Sequence, residues 1–359
     1  MTGAVVITGF GIVSPLGHSL PELARRVAAG EQAATTADGS VIASIPLDVI
    51  PAAARTRIGR LDRLCRLALA ASYLALDDAA VALPLAAPQR VGLVFGSGLG
   101  CLLSNAEFYA KIVAQGAAAA SPRAFASTVS SAAAGEVSIA LGVHGPNTTM
   151  HMGLAAGVAA LGYAMDLVGG GRADMVLAGG VDALDAWLAT ALRDMGLFKT
   201  PAQARPFLDA VPGLWPSEGA AIAVVESAAH AAARGARVRA RLLAYAAGFE
   251  PTLSGRAPLP HGVVATLRRA LAGQPAPARV LVSAHGTPCD AIERAALQAV
   301  GLGAVPVVAP KACLGDAFGA SGAFAAALAS AGAPTPALIS ALCPSGSIAA
   351  LLVEACAPV

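Results

Sequence analysis

The sequence predicts an α/β fold with helices packed on sheets, and three observations carry that expectation. Short apolar runs rich in β-formers recur along the chain, Ala/Leu-rich stretches of helical length separate many of them, and one strand–turn–helix pattern occurs twice. The runs are VVIT at Val5, VGLVF at Val91, MVLAGG at Met175, AAIAVVE at Ala220, RVLVSAHG at Arg279, VPVVAP at Val305 and IAALLVE at Ile348. Each reads as a buried strand, because it is apolar on both of the alternating faces that a strand presents. LDRLCRLALAASYLALDDAA from Leu61 and GLAAGVAALGYAMDLV from Gly153 read as helices of the covering layers.

The repeated pattern pairs NTTMHMGLAAGVAALGYAM from Asn147 with PVVAPKACLGDAFGASGAFAAALA from Pro306. Each runs strand, small-residue turn, Ala-rich helix, and each is associated with a further strand ending in a glycine-containing turn. Two similar halves are therefore expected, residues 1–240 and 241–359. In such a layout a helix starts directly off a strand, so its backbone N–H groups face whatever binds at the strand end.

At 359 residues and 56% hydrophobic content, the chain is long enough to bury a core without disulfides or metals. Its six cysteines, Cys65, Cys101, Cys289, Cys313, Cys343 and Cys356, are scattered, which points to free thiols in a cytoplasmic protein and to no metal site. A formal charge of +2 with 13% charged residues leaves no field for nucleic acid. The N-terminus has no basic segment ahead of its apolar run, so it does not read as a secretory signal. Residues 317–353 carry no charge, yet Gly319, Gly322, Gly332, Pro334, Pro336 and Pro344 interrupt them, and a buried helix followed by a buried strand is expected instead of a membrane span. The opening TGFGIVSPLG superficially matches a dinucleotide fingerprint, but Ser14 stands at the third glycine and no acidic residue follows at the expected distance, so no nucleotide cofactor is expected.

Seven segments in order, VVITGFGIVSPLG, LDRLCRLALAASYLALDDA, AAAGEVSIALGVHGPNTT, ADMVLAGGVDAL, RPF followed by SEGAAIAVVE, AHGTPCDAIE and KACLGDAFGASGA, resemble the β-ketoacyl-acyl carrier protein synthases over nearly the whole chain. The resemblance implies the thiolase fold, a five-layered αβαβα sandwich of two similar halves that is usually dimeric. In that family GPNTT leads through a strand to T-A-C-[SA]-S-G, whose cysteine at a helix N-terminus takes the acyl chain as a thioester. A helix N-terminus lowers a thiol's pKa and makes it nucleophilic. The position here is Leu154, which has no lone pair, so no acyl-enzyme is expected.

The family's two histidines fall on His285 in SAHGTP and on Asp316, where K-S-x-x-G-H becomes KACLGD. An ionised aspartate opposes a developing enolate. The degenerate triad is thus Leu154, His285 and Asp316, with no catalytic residue expected. Lys311 and Glu293 match a Lys and a Glu of the family, which suggests a buried pair on the site floor. The C-terminal gate G-F-G-G-T-N is similar only weakly to residues 344–349, and its gating aromatic is absent. Cys289 and Cys313 are the candidates for a displaced nucleophile. His151 alternates with Met150 and Met152 and is expected to face away from both.

Family members without the cysteine are the chain-length factors of type II polyketide synthases, which pair with a cysteine-bearing ketosynthase and shape the acyl tunnel. The resemblance implies that role, with that ketosynthase and an acyl carrier protein as partners, and places residues 148–152 and 121–136 at a dimer interface, where Phe125, Met150 and Met152 are candidates for capping the chain. Leu154 in place of glutamine and short segments after Gly30, Leu184 and Pro251 leave the aromatic and the highly reducing polyene branches both open. The other readings are a malonyl decarboxylase or acyltransferase using His285, and a scaffold homodimer binding acyl carriers. The basic stretches from Arg55 and Arg234 read as solvated faces or as contacts for an acidic carrier.

Overall fold

A computed structural model of the chain describes residues 3–357, except 53–54, 56–57, 208–212 and 252–259. Ten strands form one continuous sheet: β1 (Val5–Val13), β2 (Val91–Gly96), β3 (Asn147–Met150), β4 (Met175–Asp182), β5 (Gly219–Ser227), β6 (Ala240–Phe249), β7 (Arg279–Leu281), β8 (Val307–Val308), β9 (Pro336–Leu342) and β10 (Ser347–Ala355). The helices in chain order are α1 (Leu20–Ala28), α2 (Arg63–Asp78), α3 (Leu102–Gln115), α4 (Pro122–Phe125), α5 (Ala132–Leu141), α6 (Ala156–Gly169), α7 (Ala186–Asp194), α8 (Ala228–Ala233), α9 (Pro260–Leu271), α10 (Cys289–Ala299), α11 (Lys311–Leu314) and α12 (Ser321–Ser330).

The strand order is β3-β2-β4-β5-β1-β6-β10-β9-β7-β8. Its first five strands and its last five follow the same internal order, reflected about the β1–β6 seam. The pairing senses repeat as well: β2 is parallel to β3 and β4, as β7 is to β8 and β9, and the remaining pairs are antiparallel. The seam is antiparallel and short, running from Val5 opposite Leu242 to Ile7 opposite Ala240. The two β-layers of the expected sandwich are therefore one hydrogen-bonded ladder folded at that seam.

Three apolar clusters mark the layers. Helices α2 and α5 cover one face of the first sub-sheet, α9 and α10 cover the far face of the second, and α6 and α12 lie between the two. Every residue of α12 is buried, as a helix sandwiched between sheets requires. On β1, Gly11 lets α2 come close: a Cβ there would lie 1.7 Å from the Ala71 carbonyl oxygen. Helix α2 begins at Asp62, whose side chain accepts from the Cys65 amide at 2.8 Å.

Strands β6 and β9 are additions to the runs recognised in the sequence. Strand β6 is only partly buried, with Ala240, Leu242 and Ala246 buried and Arg241 and Phe249 exposed, and it begins within the basic stretch RGARVRAR. That stretch is internally paired: Arg234 meets the buried Glu226, Arg239 meets Asp78 and Arg241 meets Glu354. In the stretch from Arg55, Arg63 pairs with the fully buried Glu218, while Thr56 and Arg57 fall outside the described residues, as does most of the segment after Pro251. The charge-free residues 317–353 resolve into a turn, α12, β9 and part of β10, and among the described residues no helix is long and apolar enough to cross a membrane.

Candidate functional site

The site lies where the repeated strand–turn–helix patterns meet. Strand β3 ends at Met150, and a turn at Gly153–Ala155 starts α6. Gly153 has φ +55, and a Cβ there would sit 2.5 Å from Cys343 Sγ, so the elbow needs glycine both for its backbone and for the loop above it. Leu154 is half-buried and packs with Phe318 against Leu184, Leu188 and Leu192. It therefore holds the expected nucleophile position with a side chain that is part of an apolar cluster.

From the second half, His285 (3% exposed), Glu293 (1%), Lys311 (4%) and Asp316 (0%) are brought together with Leu154 around a cavity of about 50 Å3. One enclosed water needs on the order of 10–15 Å3, so the space suits a few waters and not an acyl chain. A second cavity of about 10 Å3 also borders Leu154 and Lys311.

Asp316 is fully bonded. Its Oδ2 accepts from Lys311 Nζ at 3.0 Å, and its Oδ1 accepts from the Phe318 amide at 2.9 Å and the Ser321 hydroxyl at 3.1 Å. Burial alone would raise its pKa, but the charges of Lys311 and His285 and these hydrogen bonds outweigh it and hold the carboxyl below its usual range. The group is an anion at neutral pH.

His285 is pushed the other way, down to about 4, first by burial and then by the neighbouring Lys311. Its Nδ1 lies 3.4 Å from the Ser283 carbonyl oxygen. Its Nε2 lies 3.4 Å from Asp316 Oδ2, with no hydrogen-bond partner among the described residues. At neutral pH the ring is uncharged, so this contact is not an ion pair.

The expected Lys311–Glu293 pair is corrected. Lys311 bonds to Asp316, while Glu293 accepts from the Ser283 amide at 3.0 Å and hydrogen-bonds to Ser340. Asp316, not present in the family pattern, supplies the nearer anion and captures the lysine. Burial pushes the Glu293 carboxyl up to about 7, so it holds its proton over much of the neutral range.

Neither displaced-nucleophile candidate is activated. Burial and the neighbouring Asp290 push the Cys289 thiol up to about 11, and burial raises Cys313 as well. Met150 and Met152 pack against the central core, whereas His151 is exposed and lies beside Gly100, the opposite-face arrangement that strand alternation implies. Phe125 is exposed, its ring 6.0 Å from that of Phe108. Among the described residues no group of three or more His, Cys, Asp or Glu is placed to hold a metal ion.

Three buried polar residues that support the site went unassigned in the sequence. Asp182 at the end of β4 accepts from the Gly98, Leu99 and Gly319 amides and the Ser97 hydroxyl, tying the two halves together beside the elbow. Asp290 accepts from the Gly286, Thr287 and Phe207 amides, and Lys199 donates to the Gly286 carbonyl, so both fix the loop that carries His285. A signal existed for Lys199, one of only three lysines in the chain.

The profile described as Beta-ketoacyl synthase, N-terminal domain, matches residues 48–231. The chain is 34% identical over 321 residues to nodulation protein E of Rhizobium leguminosarum bv. trifolii, covering 84% of this chain and 78% of that one. It is 32% identical over 335 residues to the putative polyketide beta-ketoacyl synthase 2 of Streptomyces halstedii, covering 87% and 81%. Among solved structures it is similar to the ishigamide ketosynthase/chain length factor, with a TM-score of 0.85, 25% identity, and 99% of this chain and 100% of that one covered. With the profile, the identities and the sandwich agreeing, this chain belongs to the β-ketoacyl synthase family and has its thiolase-like fold.

Proposed function

We propose that this chain is a non-condensing, chain-length-factor-type subunit that pairs with a cysteine-bearing ketosynthase and shapes the acyl tunnel in type II polyketide biosynthesis. The observation that carries the reading is Leu154 at the nucleophile elbow, on a scaffold whose geometry is otherwise kept. The Asp316 anion supports it, because a buried carboxylate opposes the enolate of a decarboxylating malonyl unit. The same anion, 3.4 Å from His285 Nε2, weighs against a decarboxylase built on His285.

The pairing surface is read from β3, which is the outermost strand on its side of the sheet. Such an edge presents unpaired backbone groups to a second chain. Tyr109 (60% exposed), Val113 (85%) and Phe125 (56%) expose apolar area on α3 and α4, and Phe108 links the two aromatic rings. Residues 148–152 and 121–136 are read as the pairing surface, with Phe125, Met150 and Met152 bordering the partner's tunnel. An acyl carrier protein is the second proposed partner. Co-expression with a cysteine-bearing ketosynthase tests the reading: a stable 1:1 complex is expected, and exclusive homodimers of this chain would instead favour a scaffold that binds acyl carriers.

A further inference from the structure

Leu154, Phe318 and Asp316 belong to one connected arrangement. Leu154 and Phe318 pack in the same apolar cluster under α7, and Leu154 borders both small cavities. Phe318 has φ +50, a backbone region that bulky residues occupy only when their surroundings enforce it. The enforcing contact is local: Asp316 Oδ1 accepts the amide two residues on, closing an Asx turn over Ala317, while Oδ2 is held by Lys311. A carboxylate has two acceptor oxygens for these two tasks, whereas a neutral imidazole has one acceptor nitrogen.

We propose that these residues form a built-in plug that keeps this chain's own cavity closed to acyl groups. Leu154 fills the place of the acylated side chain and divides the space into two pieces, Phe318 backs it, and Asp316 is the positioning residue that sets the Phe318 backbone. An acyl thioester then has one place to go in a mixed dimer, the partner's elbow. The inference rests on the reading of this chain as a non-condensing subunit and adds what occupies its vacated site.

Crystals of the full chain soaked with a hexanoyl pantetheine thioester test it, because a cavity lined by His285, Glu293, Lys311 and Asp316 holds water and would not take up an inert gas. No thioester is expected between the elbow and Lys311. Leu154→Ala, which joins the two cavities, and Phe318→Ala are each expected to admit it there. Asp316→Asn keeps an oxygen for the Phe318 amide and is expected to stay closed. The thioester in the wild-type cavity would overturn the proposal, as would its absence from both alanine variants when each still melts cooperatively; the second variant covers the case in which one fails to fold. Failure to form a 1:1 complex with a ketosynthase would leave these results unchanged, and an open wild-type cavity would leave such a complex unchanged.

Discussion

Lys311 Nζ lies 3.0 Å from Asp316 Oδ2, and both side chains are buried. The pair is bonded on both sides, so each charge depends on the other. Removing one partner from a buried pair costs about 3–5 kcal/mol, because the survivor stays desolvated without compensation. Lys311→Met is expected to lower the unfolding free energy by about that amount, and Lys311→Met with Asp316→Asn, which keeps an oxygen for the Phe318 amide, to cost less than the sum of the two single changes. Urea denaturation of the variants checks this, and additive losses would contradict the pairing.

Glu293 makes stability depend on pH. Its folded-state pKa is raised from the usual 4.5 to about 7, so the protonated form is favoured by folding. The stabilisation is complete below pH 4.5 and is lost as pH rises through about 7, on the order of 3 kcal/mol in all. His285 acts oppositely. Its pKa falls from 6.5 to about 4, so the unfolded chain takes up the proton first and stability drops as pH falls from 6.5 towards 4. Glu293→Gln keeps the oxygen that accepts from Ser283 and is expected to be more stable than wild type at pH 8 and about equal at pH 5. Denaturation midpoints at the two values decide it, and an unchanged alkaline limb would contradict the assignment.

The layers were legible because buried strands and Ala-rich helices leave periodic apolar signals, and the doubled strand–turn–helix pattern anticipated the mirrored strand order. Leu154, His285 and Asp316 were legible as departures at motif positions. What the sequence did not carry was pairing. Lys311 and Glu293 lie 18 positions apart and share a cavity, but which anion the lysine meets depends on where the turn after α11 sets Asp316. Asp182 and Lys199 were hidden for the same reason, since their partners lie 137 and 87 positions away. Strand β6 was hidden because it begins inside the basic stretch RGARVRAR, whose charges obscure the strand's start.

The interface reading predicts that Phe125→Glu weakens association with the ketosynthase at least tenfold, about 1.4 kcal/mol, because it buries an unpaired charge among aromatic rings. The substitution is at an exposed position, so the melting temperature of the isolated chain should not move. Titration calorimetry and a thermal melt separate the two effects.

Met150 at the end of β3 and Met152 just beyond it pack onto the core, and Phe125 lies exposed at the end of α4. If they cap the partner's tunnel, replacing each with Ala or Trp in the reconstituted pair changes product length, longer for Ala and shorter for Trp. Unchanged length in every variant would remove them from the tunnel.

Restoring the thiol is not expected to restore chemistry. In Leu154→Cys the new side chain would face an uncharged histidine with the Asp316 anion beside it. No condensation product is expected from that variant alone with acyl and malonyl carrier proteins, and measurable condensation would show that Asp316 does not disable the site.

If only the partner carries the acyl group, intact-mass spectrometry of the co-purified pair after incubation with an acyl carrier thioester will show it. A mass increase of one acyl group is expected on the cysteine-bearing ketosynthase, with an unchanged mass for this chain; an acyl adduct on this chain, at Cys289, Cys343 or any other side chain, would rule the non-condensing role out.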